Sequence, residues 1–346
     1  MIQKCSPAGL HFFAGVPMKI TKSHYFDQFR CIASLCPDSC CHEWEVNVDD
    51  ATAQTYLSLP GDLGDQLRQK LKRSEDGFSL EITDSRCPMW RADGLCQIQC
   101  QLGHDALCQT CRDFPRLRHD YGDFAELGLE LSCPEAARLI LTSPEPTFIT
   151  EDVPGGEAAD YDPDTMAVLL STRETALDIL RRYDIPTALS LLLLYGAHAQ
   201  ADVDAGQVSA FDENAALAML SQLDLPAPIP LPDFYATLEI LTDRWQAWLH
   251  DPHPLSCWPE EIRAMARCQI NRYWLQAVSD WDLAARVKMI VASCILVRHL
   301  GGDVIATAQL YSKEIDNDPD NVDAILDAAY LSPALTDMNL LSQLKL

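Results

Sequence analysis

Apolar residues recur at intervals of three and four through the second half of the chain, from about residue 163 to its end. Met166, Leu169, Ala176 and Leu180 are examples of this spacing. Such a period places apolar side chains on one face of an α-helix, and it predicts a series of amphipathic helices. Proline and glycine interrupt helices. Breaks are therefore expected at Pro186, residues 225–232, residues 251–259 and Gly301-Gly302.

The first 141 residues show shorter and less regular patterns. A helix is predicted over residues 51–59, with Asp49 or Asp50 as its N-cap and an end before Pro60. Residues 124–131 fit a strand or a helix equally well, because their periodicity matches both. The other predicted elements are a helix over residues 62–73, a strand over residues 78–82, a hairpin over residues 86–96 and a helix over residues 134–141.

These patterns predict a mainly α fold with a small cysteine-rich metal-binding N-terminal domain packed on a larger all-helical C-terminal domain. The helical domain is expected over residues 163–346. A linker is expected at residues 142–162, which contain three prolines and a glycine pair. Residues 19–141 form the predicted cysteine-rich domain. Residues 1–18 are interpreted as a leader, either disordered or the product of a mis-set start.

The chain carries a net charge of −25, from 26 basic and 51 acidic residues. A surface this acidic repels phosphate backbones, so we expect no nucleic-acid partner. The charge fits either simple solubility or the attraction of a basic partner. No stretch approaches the roughly 18 apolar residues of a membrane helix, and the N-terminus does not resemble a secretory signal. We therefore expect a cytoplasmic protein without a membrane partner.

The distribution of cysteines is the most informative feature of the composition, because ten of the 14 fall between residues 31 and 133. Such density indicates either a disulfide framework or a metal site. Disulfide frameworks are typical of small secreted domains, whereas this chain is long enough to build a large core. Metal ligation is therefore the preferred interpretation, with disulfides as the alternative.

The cysteine spacing also suits metal binding. Four thiols fall between Cys31 and Cys41, and Cys108-x2-Cys111 has the spacing at which two thiolates reach one ion. Cys133 stands at a predicted helix start, where Ser132 and Glu135 could form a capping box and the thiol pKa would be lowered. The predicted ligands are Cys31, Cys36, Cys40, Cys41, Cys87, Cys96, Cys108, Cys111 and Cys133.

The metal itself is less well defined by the sequence. Scattered all-thiolate ligands favour an iron–sulfur cluster, and one of the 4Fe-4S type would take four of the nine thiols. Zinc is the alternative, although closed structural zinc sites often pair one CxxC with a second, and this chain has a single such pair.

The cysteine segments resemble the flagellin lysine-N-methylase family, which contains a cysteine-cluster domain described as zinc- or iron-chelating. The resemblance covers about residues 25–141. Six short segments carry it: Tyr25-Phe26-Asp27-Gln28-Phe29-Arg30-Cys31, Cys36-Pro37-Asp38-Ser39-Cys40-Cys41-His42-Glu43-Trp44, Arg86-Cys87-Pro88-Met89, Asp93-Gly94-Leu95-Cys96-Gln97-Ile98, Leu107-Cys108-Gln109-Thr110-Cys111-Arg112-Asp113-Phe114-Pro115-Arg116 and Leu131-Ser132-Cys133-Pro134-Glu135-Ala136-Ala137.

The resemblance implies methyl transfer from S-adenosylmethionine to surface lysines of flagellin, with an iron–sulfur cluster held by the cysteines. The glycine-rich start of a common methyltransferase fold is absent from the sequence, so the donor site has no predicted location. Arg112 and Arg116 follow the CxxC pair, where they could bind a cofactor carboxylate, neutralise a cluster or pair with acids such as Asp113. A non-catalytic metalloprotein, in which the metal staples a protein-binding domain, is the alternative function, and a redox or metal-delivery protein is a third.

Overall fold

The computed structural model describes residues 16–74 and 77–345 of the chain. The predicted leader lies outside this part, except for residues 16–18, which begin the first strand. The described strands are β1 (Val16–Ser23), β2 (Val46–Val48), β3 (Leu71–Ser74), β4 (Gly77–Leu80), β5 (Arg116–Asp120), β6 (Phe124–Leu129) and β7 (Phe148–Gly156).

These strands form two sheets. The larger one has the order β5-β6-β1-β7, with β1 parallel to β6 and antiparallel to β7. Its central register places Lys19 opposite Phe124 on β6 and opposite Asp152 on β7. The smaller sheet has the order β2-β4-β3 and is antiparallel throughout. Because β7 lies within residues 142–162, the segment expected to be a linker supplies an edge strand of the larger sheet.

Helices make up most of the remaining described structure. They are α1 (Asp50–Ser58), α2 (Gly61–Lys70), α3 (Gln97–Leu102), α4 (Gln109–Asp113), α5 (Pro134–Thr142), α6 (Pro163–Arg182), α7 (Ile185–Ala205), α8 (Glu213–Gln222), α9 (Leu231–Tyr235), α10 (Asp243–His250), α11 (Glu260–Tyr273), α12 (Leu283–Leu300), α13 (Val304–Tyr311), α14 (Pro319–Leu331) and α15 (Asp337–Leu344). A π-helical turn, Ser312–Asp316, follows α13.

Aspartate side chains cap many of these helices and account for part of the acidic composition. Asp184, for example, accepts a hydrogen bond from the Thr187 amide at the start of α7, and Asp303 accepts from two amides at the start of α13. A carboxylate at this position satisfies free N–H groups and complements the positive end of the helix dipole. These caps fix the residues at which the helices begin.

The buried residues form two cores. The larger core surrounds α12, which is buried on all sides, and includes α5, α6, α7 and α11. It also takes in residues from the N-terminal part, among them Phe26, Phe29 and Leu129. The smaller core, from Val46 to Cys108, joins the three-stranded sheet to α1 and α2. Residues 19–141 thus contribute to both cores.

A mainly α fold is confirmed, and every named element described after residue 163 is helical. The predicted breaks at residues 251–259 and Gly301-Gly302 lie between helices, and most of the break at residues 225–232 precedes α9. Pro186 instead lies in the first turn of α7, just after the short gap that separates this helix from α6. Residues 124–131 resolve as a strand, β6. The hairpin expected over residues 86–96 is instead a turn closed by a single bridge between Trp90 and Cys96, with Gly94 at φ +80°.

Candidate metal centre

Short helical turns and a tight loop carry the first four predicted ligands. A 3-10 turn, Ala33–Leu35, separates Cys31 from Cys36, and the Cys36 thiol donates to the Asp38 carbonyl over 3.2 Å. Cys40 and Cys41 follow within the same loop, where the Ser39 hydroxyl accepts from the Cys41 amide. The loop then pairs with the Arg86–Cys87 segment, because the Cys87 amide donates to the Cys41 carbonyl over 2.8 Å.

A first group of thiols consists of Cys31, Cys36, Cys40 and Cys133. Repulsion from thiolates of the other members raises the pKa of Cys36, of Cys40 and of Cys133. At Cys133 burial contributes more than the neighbouring thiolates, and the thiol pKa is raised to about 11. The group therefore combines a loop at the start of the chain with a residue about a hundred positions later.

A second group contains Cys41, Cys87, Cys96, Cys108 and Cys111. Burial, with a smaller contribution from the thiolates of Cys41, Cys96 and Cys108, raises the pKa of Cys87 to about 12. A hydrogen bond between the Cys108 and Cys111 thiols lowers the pKa of Cys108 to about 7 and raises that of Cys111. The same kind of bond lowers the pKa of Cys41 to about 7 and raises that of Cys40, which joins the two groups.

The donor set fits a thiolate-bound metal in its chemistry. All thirteen described cysteines are free thiols, and the grouped ones carry burial and mutual-repulsion penalties that a bound cation would remove. Beside them, the buried Nε2 of His42 finds no hydrogen-bond partner in the described structure. The side chains of residues 16–74 and 77–345 nevertheless include no three His, Cys, Asp or Glu groups placed to hold one metal ion.

The start of α5 differs from its prediction in one respect. Cys133 is the N-cap residue and Pro134 begins the helix, as expected. The capping box is wrong, because the Ser132 hydroxyl donates to Glu130 and Glu135 pairs with Arg138. The expected lowering of the Cys133 pKa is also wrong, since burial outweighs the backbone hydrogen bonds that favour the thiolate.

A buried lysine holds the cysteine loop on the helical part of the chain. Lys313, in the π-helical turn, is 2% exposed and lies 2.7 Å from carboxylate oxygens of both Asp38 and Glu43. Gln309 adds hydrogen bonds to Asp38 and to the Ser132 carbonyl, at 2.9 and 2.8 Å. This cluster connects both ends of the first thiol group to α13 and the turn after it.

Sequence reasoning missed this cluster. Lys313 lies between Ser312 and Glu314, so its sequence neighbours are polar and give no sign that it is buried. Buried charges are found almost always in pairs, but the pairing of Lys313 is not local. Its partner Asp38 stands some 275 positions earlier in the chain.

The two arginines predicted to bind a cofactor lie apart from each other. Arg112 donates to the Asp105 carbonyl over 3.4 Å on an exposed surface. Arg116, at the start of β5, places its guanidinium 5.2 Å from the centre of the Phe29 ring. Neither guanidinium belongs to an ion pair found in the described residues.

The chain is similar to three curated proteins. It is 31% identical over 139 residues to lysine-N-methylases from Salmonella typhimurium and Salmonella choleraesuis, an alignment that covers 38% of this chain and 35% of each relative. It is equally identical to flagellar biosynthetic protein FliU of Salmonella muenchen, of which it covers 82%. The chain thus spans about a third of the length of the two lysine-N-methylases. No protein-family model and no solved structure matches it.

Proposed function

Since the chain belongs to the flagellin lysine-N-methylase family, we propose that it transfers methyl groups from S-adenosylmethionine to surface lysine side chains of flagellin. The observation that carries this proposal is the 31% identity over 139 residues to relatives named lysine-N-methylase and flagellar biosynthetic protein. The alignment covers most of FliU but 35% of the lysine-N-methylases, so activity, donor and substrate all belong to the proposal.

The reaction requires a neutral lysine amine in line with the donor methyl group. The amine nitrogen forms a bond to the methyl carbon while the carbon–sulfur bond breaks, and S-adenosylhomocysteine leaves as a neutral thioether. The methylated ammonium then releases one proton to solvent. Alignment of the two reactants supplies much of the rate enhancement in such a transfer. The net charge of −25 would attract the lysine-bearing surface of the substrate.

The cysteines would hold the metal centre of this enzyme. Cys31, Cys36, Cys40 and Cys133 form one set of candidate ligands, and the remaining five predicted ligands form the other. An iron–sulfur cluster is the proposed occupant and zinc the alternative. When bound, the metal would cross-link the loops that carry its ligands. Arg112, next to Cys111 in sequence, would neutralise part of the negative charge of a thiolate cluster.

The direct test uses purified chain, purified flagellin and S-adenosylmethionine labelled with tritium in its methyl group. The proposal predicts transfer of label to flagellin that depends on time and enzyme. Flagellin with acetylated lysines is the matched control, and it should take up no label. Label that reaches neither flagellin nor any other protein substrate would refute the proposed activity.

A non-catalytic metalloprotein is the second candidate. The observation in its favour is the buried Lys313 cluster, which fixes the cysteine loop to the helices, because a metal bound in that loop would add a second link of the same kind. Anaerobic purification with iron, sulfide and zinc analysis separates the options, together with a Cys40→Ser, Cys111→Ser double variant. Equal iron and sulfide, lost in the variant, supports the cluster. Stoichiometric zinc without methyl transfer would support the stapled binding domain.

A further inference from the structure

The described structure contains a cavity of about 660 Å³ between the larger sheet and the helical layer. Strands β1, β5 and β6 line one side, and α6 and α11 line the other. Leu117, Phe124 and Leu177 give it apolar walls, while Leu170, 37% exposed, lies on its rim. The volume falls within the range of pockets that enclose a ligand of drug size.

Two buried donors line this cavity without partners. The Gln269 side chain is 1% exposed, and its Oε1 accepts a hydrogen bond from Ser293. Its Nε2 is left without a partner in the described part of the chain. The Nε of Arg173, a residue 7% exposed, is equally unpaired there. Unpaired buried donors are costly, and a ligand in the cavity that carries acceptor atoms would satisfy both groups once these two side chains turn toward it.

The charged lining also has a definite arrangement. Arg173 is held by a bidentate pair with Glu126, at 2.7 and 2.6 Å, which fixes its plane across the cavity. Four acidic side chains and three cationic ones line the cavity, so the net charge of its lining does not repel a cation. Burial and the nearby Arg272 lower the pKa of His119 to about 4, and this imidazole adds no positive charge near pH 7.

We propose that this cavity, bounded by β1, β5, β6, α6 and α11, is the binding site for the methyl donor S-adenosylmethionine. The inference rests on the proposed function, which supplies the need for a donor, whereas the location comes from the cavity. The donor combines an apolar, aromatic base with acceptor nitrogens, a carboxylate and a sulfonium cation. The base suits the walls with Phe124, and the acceptors suit Gln269 Nε2 and Arg173 Nε.

The test measures binding of S-adenosylmethionine to the full, metal-loaded chain by titration calorimetry. Leu170→Trp fills the rim of the cavity from a partly exposed position, and Gln269→Leu removes one free donor. Ser293 keeps a second acceptor, the Ile290 carbonyl, in that variant. Each substitution should weaken binding about tenfold or more. Leu331→Trp is the matched control at a position that is 82% exposed and outside the cavity, and its affinity should equal that of the unaltered chain.

The possible results are distinct. Binding that weakens in both cavity variants and not in the control supports the site, even if label never reaches flagellin and the proposed activity fails. Binding that is unchanged in Leu170→Trp, in a chain with the circular dichroism of the unaltered protein, overturns the site while the activity can stand. Absence of donor binding to the unaltered chain overturns both proposals.

Discussion

Replacing Lys313 with methionine removes a cation that is 2% exposed while keeping most of the volume of its side chain. Its Nζ lies 2.7 Å from Asp38 and 2.7 Å from Glu43. The substitution leaves both carboxylates without their main partner. We expect the free energy of unfolding to fall and the loop that carries Cys36 and Cys40 to loosen.

The size of the loss follows from what each carboxylate retains. Removal of one partner from a buried ion pair costs about 3–5 kcal/mol. Asp38 keeps the Gln309 amide at 2.9 Å and Arg244 at 3.8 Å, and Glu43 is 30% exposed and reaches solvent. We therefore expect a loss of about 3 kcal/mol, at the low end of that range.

Urea unfolding followed by tryptophan fluorescence measures this loss, with both proteins at equal metal content. Lys72→Met is the matched control, because Lys72 is 55% exposed and pairs with Glu81 at 3.4 Å. Its loss should stay within about 0.5 kcal/mol. Adding Asp38→Asn to Lys313→Met should recover part of the stability, since a buried charge disappears. A loss below about 1 kcal/mol in Lys313→Met would refute the buried cluster as the anchor of the loop.

Three further predictions concern stability. Gly196→Ala should lower the free energy of unfolding, measured by thermal unfolding, by about 1–3 kcal/mol, because the added Cβ would lie 2.6 Å from Val287. Adding Val287→Ala should recover part of that loss. A neutral effect of Gly196→Ala would contradict the close packing of α7 on α12. Asp49→Ala should cost about 1 kcal/mol in urea unfolding through loss of the α1 N-cap, and Asp50→Ala less, so equal losses would argue against the cap. The pKa of His119 is lowered to about 4 in the folded chain, against about 6.5 in the unfolded chain. The unfolded chain therefore binds an extra proton between these pH values, and stability falls as the pH drops through that window. His119→Gln should show a shallower loss of stability between pH 7 and pH 5, and an identical loss would exclude this histidine as the cause.

Local patterns predicted the helical part of the chain well, because its helix starts and ends depend on neighbouring residues. Asp49 caps α1 as expected, and the break before Pro186 separates α6 from α7. Two strands of the larger sheet, the central β1 and the edge strand β7, were missed. The first three residues of β1 were assigned to a leader, and β7 contains Pro154 and Gly155, which indicated a linker. Their strand conformation depends on pairing across more than a hundred residues.

The candidate site was also predicted only in part from the sequence. Spacing identified the nine cysteines as a set, but their division into two groups depends on how Cys133 folds back to the loop around Cys36. The cavity had no signal of its own, because Glu126, Arg173 and Gln269 come from three distant segments. Arg173 did offer one hint, as a charged residue on the apolar face of α6. Such a residue requires a partner, and the sequence does not show which one.

The central claim is that this chain methylates lysine side chains of flagellin. Its most direct test is mass spectrometry of peptides from flagellin incubated with the chain and S-adenosylmethionine, compared with a reaction that lacks the donor. The account predicts methyl groups on lysine side chains at the surface of flagellin, present only with both chain and donor. Flagellin lysines that stay unmodified in the presence of folded, metal-loaded chain and donor would contradict it.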